Sequence, residues 1–309
     1  MTSSFVSVGS ARVAYRVLGM GPAVLLVNGT GGGDGHWGDL VEQLARSRTV
    51  VTLDYSGAGE TTDDGAPLDL PTLARQVAAV AEAVGAPHVD LVGHSLGAAI
   101  ATVLAAERPE LVRTLTLVAG FLTADEPRLK LTFELWRRLI AADREGFIQL
   151  LALTTLSDKF FASPLAAHLD ALAQGILTGT NWEGLARQVE LDLRVDIHAE
   201  ASRVRCPTLV VGCAHDQIVT RTRDLCDRIP DATFSEINAG HQAYFEEPPR
   251  SLPPSSWPSR TGCTRQGVFR PRLPDRSRVR IAASVDSNHA QWLRLAKASQ
   301  LSAAHHSSR

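Results

Sequence analysis

The stretch Val89-Asp90-Leu91-Val92-Gly93-His94-Ser95-Leu96-Gly97-Ala98-Ala99-Ile100 decides how this chain folds. Residues 89–92 are β-branched or apolar apart from Asp90, read as a strand, and run into Gly-x-Ser-x-Gly. The alanine- and leucine-rich run that follows reads as a helix through about Val112. A strand, a tight turn with serine at its apex, and a helix form the context in which this motif becomes a nucleophile elbow. Turning straight from strand to helix crowds the backbone around Ser95 and strains it, so side chains at positions 93 and 97 would collide with neighbouring segments. The same turn exposes the Ser95 hydroxyl and aims the backbone N–H of Leu96, at the helix start, toward one point.

Outward from this stretch the chain alternates strands and helices. Phe5 to Val8 and Ala11 to Leu18 read as an antiparallel hairpin at a sheet edge. Ala23 to Val27 is a continuous apolar run, as in a strand buried on both faces. It ends in the glycine-rich Asn28-Gly29-Thr30-Gly31-Gly32-Gly33. A nucleotide-binding loop is refused by the spacing: counted from Gly29, the third motif glycine falls on Asp34, and no Gly-Lys-Ser/Thr follows. Trp37 to Arg46 reads as a helix, Thr49 to Leu53 as a strand ending in Asp54 and a Gly57-Ala58-Gly59 turn, and Leu70 to Val84 as a helix stopped by Gly85-Ala86-Pro87. Arg113 to Val118 is the next strand. From Phe121 to about Glu200 only helical spacing occurs, as in Leu129, Phe133, Trp136 and Leu139. Pro207 to Gly212 resumes the strands, Thr222 to Arg228 is a short helix, and Thr233 to Ile237 is the last strand, followed by Asn238-Ala239-Gly240-His241.

Taken in order, Leu25 to Gly31, Asp54 to Thr61, Gly93 to Gly97, Gly212 to Asp216 and Gly240-His241 resemble the α/β-hydrolase family over about residues 13–248. The resemblance implies an α/β fold: a mostly parallel eight-stranded sheet flanked by helices, with residues 1–120 and 201–248 as the core. Residues 121–200 then look like a helical cap inserted after the sixth strand, roofing the site with apolar side chains. Phe133, Trp136, Phe160, Phe161 and Trp182 either line its pocket or pack within it.

The order Ser95, Asp216, His241 matches the chain order of the family's catalytic triads. A neutral serine hydroxyl is a weak nucleophile and needs a base. His241 can take and return a proton near neutrality, and Asp216 would orient it. Asn28 stands in place of the commoner histidine of the family's His-Gly-x motif, which makes the Thr30 N–H the second oxyanion donor beside that of Leu96. Competing readings are His215 as base and Asp125 as acid. Asp54 is expected to anchor its turn, and His94 to support the elbow. Serine at the elbow argues against epoxide hydrolases and haloalkane dehalogenases, which use aspartate there. The resemblance therefore implies hydrolysis of a carboxylic ester or lactone of a small to medium, largely apolar molecule through an acyl-enzyme. Alternatives are a biosynthetic thioesterase or cyclase using the same triad, and an inactive ligand-binding member of the fold. No cofactor is implied.

Composition bounds the rest. At 309 residues the chain can bury one large core or two modest ones. A net charge of −2 provides no global basic field for nucleic acid or anionic membrane, so the expected partner is a small-molecule substrate. That balance hides a split: residues 249–309 carry 11 Lys+Arg against 2 Asp+Glu. This Arg-, Ser- and Pro-rich tail begins where the family's next helix belongs, and a shifted reading frame or a basic disordered tail would each produce it. Four cysteines show no C-x-x-C spacing and are expected as reduced thiols. The first residues lack a basic region before an apolar run, and no apolar segment approaches the length of a membrane span, so a cytoplasmic location is expected.

Overall fold

The computed structural model describes residues 2–33 and 36–246. The tail readings and Cys263 lie outside these residues. Eight strands form one sheet: β1 (Ser4–Val8), β2 (Ala11–Leu18), β3 (Ala23–Val27), β4 (Thr49–Asp54), β5 (Val89–His94), β6 (Val112–Val118), β7 (Thr208–Cys213) and β8 (Thr233–Ile237). Their order is β1-β2-β4-β3-β5-β6-β7-β8. The first hairpin is antiparallel and sits at one edge, and β2 also runs antiparallel to β4. All remaining pairs are parallel, as the apolar runs of β3, β5 and β7 demand of strands covered on both faces.

Helices α1 (Leu40–Ala45), α2 (Leu70–Ala83) and α3 (Leu96–Glu107) cover the sheet before β6. Asp69 caps α2 by accepting the Thr72 N–H at 2.6 Å, with Pro71 in the first turn. Every residue of α3 from Leu96 to Ala105 is buried, which explains why its sequence is apolar on all faces. It stops at Glu107 rather than running to Val112. Arg108 precedes Pro109 and leaves the helical region (φ −128°, ψ 60°), freeing Val112 to begin β6. Helix α1 is likewise shorter than expected: Trp37 sits in the preceding turn, its side chain buried.

Between β6 and β7 the chain is helical: α4 (Pro127–Ala142), α5 (Arg144–Thr155), α6 (Asp158–Phe161), α7 (Leu169–Gly179), α8 (Trp182–Asp192) and α9 (His198–Ala201), with a 3₁₀ turn at Pro164–His168. Edge-on ring contacts link Phe133 to Trp136, Trp136 to Phe147 and Phe147 to Trp182 at centroid distances of 5.5, 5.6 and 6.0 Å. Phe133 and Trp136 are buried in this packing, and Phe160 is buried in a separate small cluster with Leu156. Leu129, Phe133, Phe147, Leu185 and Val189 join the same apolar cluster as the sheet residues Leu25, Leu53 and Leu91, so these helices share the main core. Helices α10 (Thr222–Arg228) and α11 (Ala243–Glu246) complete the described chain. Among the described residues no helix is long and apolar enough to cross a membrane, and no cluster of three His, Cys, Asp or Glu could hold a metal ion.

Backbone meets backbone closely where α3 passes β3. A Cβ at position 97 would lie 2.2 Å from the Val27 carbonyl oxygen and 2.3 Å from that of Asn28. Both belong to backbone that cannot rotate aside. Gly97→Ala is therefore expected to destabilise the fold by about 1–3 kcal/mol, read as a lowered urea midpoint at unchanged m-value.

Candidate active site

Ser95 stands between β5 and α3 with φ 54° and ψ −119°, a sparsely populated conformation for a residue bearing a side chain. Its neighbours hold it there: Ser95 N–H donates to the Val118 carbonyl at 3.0 Å, and its own carbonyl accepts from Ala98 N–H at 2.9 Å. A Cβ at Gly93 would come within 2.3 Å of the Gly97 oxygen, so the elbow closes only with hydrogen at that position. The Ser95 side chain is 7% exposed.

Two loops bring the other expected residues to the same carboxyl edge of the parallel strands, where open α/β sheets place their ligands. Asp216 follows β7 and His241 follows β8. His241 Nδ1 and Asp216 Oδ2 are 2.7 Å apart, both side chains buried. Asp216 Oδ1 meanwhile accepts from the N–H groups of Ile218 and Val219 at 2.8 and 2.9 Å. A carboxylate held this way only accepts, so Nδ1 carries the imidazole proton and Nε2 keeps its lone pair. A hydrogen bond from Ser95 to His241 is not among those formed by the described residues. Such contacts often close only in a substrate complex. Of the competing residues, His215 is exposed and bonded to Asn238 at 2.7 Å, and Asp125 is exposed beside Thr123.

The loop after β3 lies against Ser95, since a Cβ at Gly29 would meet the Ser95 Cβ at 3.1 Å. Asn28 is buried and supplies fixings of its own. Its amide donates to the Leu53 carbonyl at 3.2 Å and its carbonyl accepts from the Trp37 indole, while the Tyr55 hydroxyl donates to the Gly29 carbonyl at 2.9 Å. Asp54, as expected, anchors its turn: it accepts from Glu60 N–H at 3.0 Å and pairs with Arg16 at 3.2 Å, and at position 59 only a glycine clears it.

Sequence reasoning did not single out Gln188 and Asp192. The Thr30 hydroxyl donates to Asp192 Oδ2 at 2.7 Å, and Gly31 N–H donates to Gln188 Oε1 at 2.7 Å. Both residues are fully buried on α8 with Leu185 and Val189. Their signal was present as two polar residues set into an apolar helical stripe at 185, 188, 189 and 192. Burial pushes the Asp192 carboxyl well above the ordinary carboxylate range, against the opposing effect of the Thr30 hydrogen bond.

His94, inside the elbow, lies under the loop of His241. Its Nε2 is 2.9 Å from the His241 carbonyl oxygen and its Nδ1 is 3.0 Å from His36 Nε2. A carbonyl only accepts, so Nε2 of His94 carries a proton. A neutral His94 then presents a lone pair at Nδ1 to His36 Nε2, which also lies 3.5 Å from the Gly29 N–H. Burial, reinforced by His241, pushes the His36 imidazole down to about 3, and the same two causes with His36 hold His94 well below 6.5. In the unfolded chain His94 would titrate near 6.5, so below that pH the unfolded state binds the extra proton. The stability present above pH 6.5 is lost as pH falls, by roughly 1.4 kcal/mol per pH unit for this group. Urea titrations between pH 7 and 5 should show this slope flattened in His94→Gln, and an unchanged slope would contradict the neutral assignment.

Comparisons with known proteins agree with this architecture. Pyrrolizixenacetamide deacetylase of Xenorhabdus hominickii is 42% identical over 246 residues, covering 79% of this chain and 92% of that protein. A protein of Azorhizobium caulinodans, provisionally named as the carbamate hydrolase RutD, is 30% identical, with 76% and 90% covered. Among solved structures, the enol-lactonase from Burkholderia xenovorans LB400 superposes with a TM-score of 0.70 at 19% identity, over 78% of this chain and 93% of its own. From residue 22 to residue 248 the sequence matches the family described as the alpha/beta hydrolase fold, and the chain belongs to that family.

Proposed function

We propose that this chain is a serine hydrolase in which Ser95 is the nucleophile, His241 the general base and Asp216 the residue that orients it. The observation that carries this reading is the buried 2.7 Å contact between His241 Nδ1 and Asp216 Oδ2, at the sheet edge that also holds the strained Ser95. In the first half-reaction Ser95 Oγ bonds to the substrate carbonyl carbon while its proton passes to His241 Nε2. The carbonyl electron pair moves onto oxygen, where the N–H groups of Thr30 and Leu96 receive it, each worth about 3 kcal/mol in comparable sites. Collapse expels the leaving group, which takes the proton from His241, and leaves an acyl ester on Ser95. Water then attacks that ester as His241 removes its proton, and collapse returns the proton to Ser95. Neither metal nor cofactor enters these steps.

The substrate is a carboxylic ester or lactone of small to medium size and largely apolar character. The 42% identical relative is named for an acetamide, which favours a carboxamide as the second reading. Residues 121–200 act as a cap over the site, a role supported by the reach of Gln188 and Asp192 to the loop after β3. At the other side the Thr155 carbonyl accepts from Gln242 N–H at 3.1 Å, beside His241. Such a roof excludes water and lets the acyl-enzyme form in an apolar setting.

Labelling with a fluorophosphonate probe tests the assignment, with p-nitrophenyl acetate, longer p-nitrophenyl esters and p-nitroacetanilide as substrates. Labelling should vanish in Ser95→Ala, and ester turnover should fall by about 10⁴-fold or more in Ser95→Ala and His241→Ala. Acetanilide cleavage comparable to ester cleavage would favour the carboxamide reading. A folded chain that neither labels nor turns over any of these substrates would overturn the proposal.

A further inference from the structure

The loop after β3 has an unusual construction for a segment assigned a precise task. From Gly29 to Gly33 only Thr30 bears a side chain, and Gly31 takes the left-handed backbone conformation at φ 71°. Glycine imposes little on its own backbone, so such a loop needs outside anchors to hold one geometry. Its fixings are unequal along its length. The Gly29 carbonyl, in the same peptide as the Thr30 N–H, accepts from the Tyr55 hydroxyl at 2.9 Å and from Gly32 N–H at 3.0 Å, whereas the Thr30 side chain and the peptide that follows it are held by α8 through the Asp192 and Gln188 bonds.

Helix α8 is a firm reference for those bonds. Asn181 caps it by accepting the Gly184 N–H at 2.9 Å, and Leu185, Val189 and Leu191 bury its apolar face. Gly184 packs directly on the turn after β4, where a Cβ would come within 2.2 Å of the Gly57 oxygen. Arg187 grips Asp63 through both guanidinium nitrogens, at 2.8 and 3.0 Å. Gln188 spans the junction, accepting from Gly31 and donating to the Ser56 carbonyl at 3.2 Å.

Asp192 is the more telling of the two anchors. It is fully buried, Thr30 is its hydrogen-bond partner, and Oδ1 has none among the described residues. A carboxylate here would be a buried charge facing no cation, a strongly unfavourable state. The neutral acid avoids that charge while Oδ2 still accepts from the Thr30 hydroxyl. A fully buried polar group with one oxygen unpaired costs stability, and its bond to Thr30 is the side-chain hydrogen bond it makes among the described residues.

We infer that Asp192 is a positioning residue for the oxyanion site: by holding the Thr30 hydroxyl it orients the Thr30 backbone N–H toward the carbonyl attacked by Ser95. This rests on the hydrolase reading above. It makes the helical segment part of the catalytic geometry as well as a cover, because a shift of α8 would move an oxyanion donor. What Asp192 supplies is an acceptor of fixed position and no charge, so a carboxamide serves as well.

The test is steady-state kinetics of the full chain on p-nitrophenyl acetate. Asp192→Ala should lower kcat by about 30- to 100-fold, somewhat less than the roughly 10²- to 10³-fold seen when an oxyanion donor is removed outright, because the Thr30 N–H remains but is misaligned. KM should stay within about threefold, because the donor acts on charge that develops in the transition state. Asp192→Asn should recover kcat to within about threefold of wild type. Thr30→Val should reproduce the loss, and the double variant Asp192→Ala/Thr30→Val should be no slower than either single one, as for two members of one interaction. Should Asp192→Ala fail to fold, Thr30→Val and Asp192→Asn, which both preserve the volume of the site, carry the test. Retained kcat in Asp192→Ala, or losses that multiply in the double variant, would overturn the inference while leaving the hydrolase reading intact. Absence of Ser95-dependent turnover in the wild-type chain would overturn both.

Discussion

The contact between Gly97 and the carbonyls of Val27 and Asn28 is the constraint on which the rest of this molecule depends. A helix can begin immediately after β5 only if its first turn passes within a few ångströms of the neighbouring strand end, and there only hydrogen fits. That close approach forces Ser95 into a positive φ and lifts its side chain out of both strand and helix. The strain at one residue is offset by the burial of the whole of α3 from Leu96 to Ala105, which anchors the elbow from behind. It also sets the loop after β3 directly against the serine, because Val27 and Asn28 are the residues that Gly97 touches. One backbone contact therefore brings together the hydroxyl and the loop proposed to stabilise the oxyanion formed on its attack.

Around this contact the polar groups are distributed by what each can tolerate when buried. Asp216 accepts three hydrogen bonds, two from backbone N–H groups and one from His241. Asp192 has one hydroxyl and no cation, which suits a neutral acid. His94 and His36 share a contact that ends on the His241 carbonyl, which suits neutral imidazoles. Burial is the first cause in each of the last two cases, and it favours the neutral form of acid and imidazole alike.

The helices between β6 and β7 are tied to this region by α4, where Arg128 Nε donates to the Gln217 carbonyl at 2.8 Å, and at two further places. One is α8, through Gln188 and Asp192 to the loop after β3. The other is the end of α5, where the Thr155 carbonyl receives the Gln242 N–H and Ser157 N–H reaches the Glu246 carboxylate at 2.8 Å. These attachments flank the elbow on both sides. Because the same helices share the main apolar core, their position is coupled to the sheet through packing as well as through hydrogen bonds.

Much of this was written in local sequence. Gly-x-Ser-x-Gly after Val89–Val92 specified the elbow because close packing at two positions admits only glycine. Asp216 and His241 were legible because each follows a β-rich run at a strand end. The end of α3 was misread by local composition: alanine and leucine favour helix, but Pro109 disallows the helical conformation of Arg108, and the strand begins sooner. What the sequence alone determined, then, is the fold and the identity of the residues at its carboxyl edge, since periodicity and glycine spacing act over a few residues. What only the tertiary structure decided is which distant partners meet. Asp192 lies 162 positions from Thr30 and His94 lies 147 from His241. Neither pairing leaves a local pattern, because a buried polar side chain is matched to its partner by three-dimensional packing and not by its neighbours in the chain.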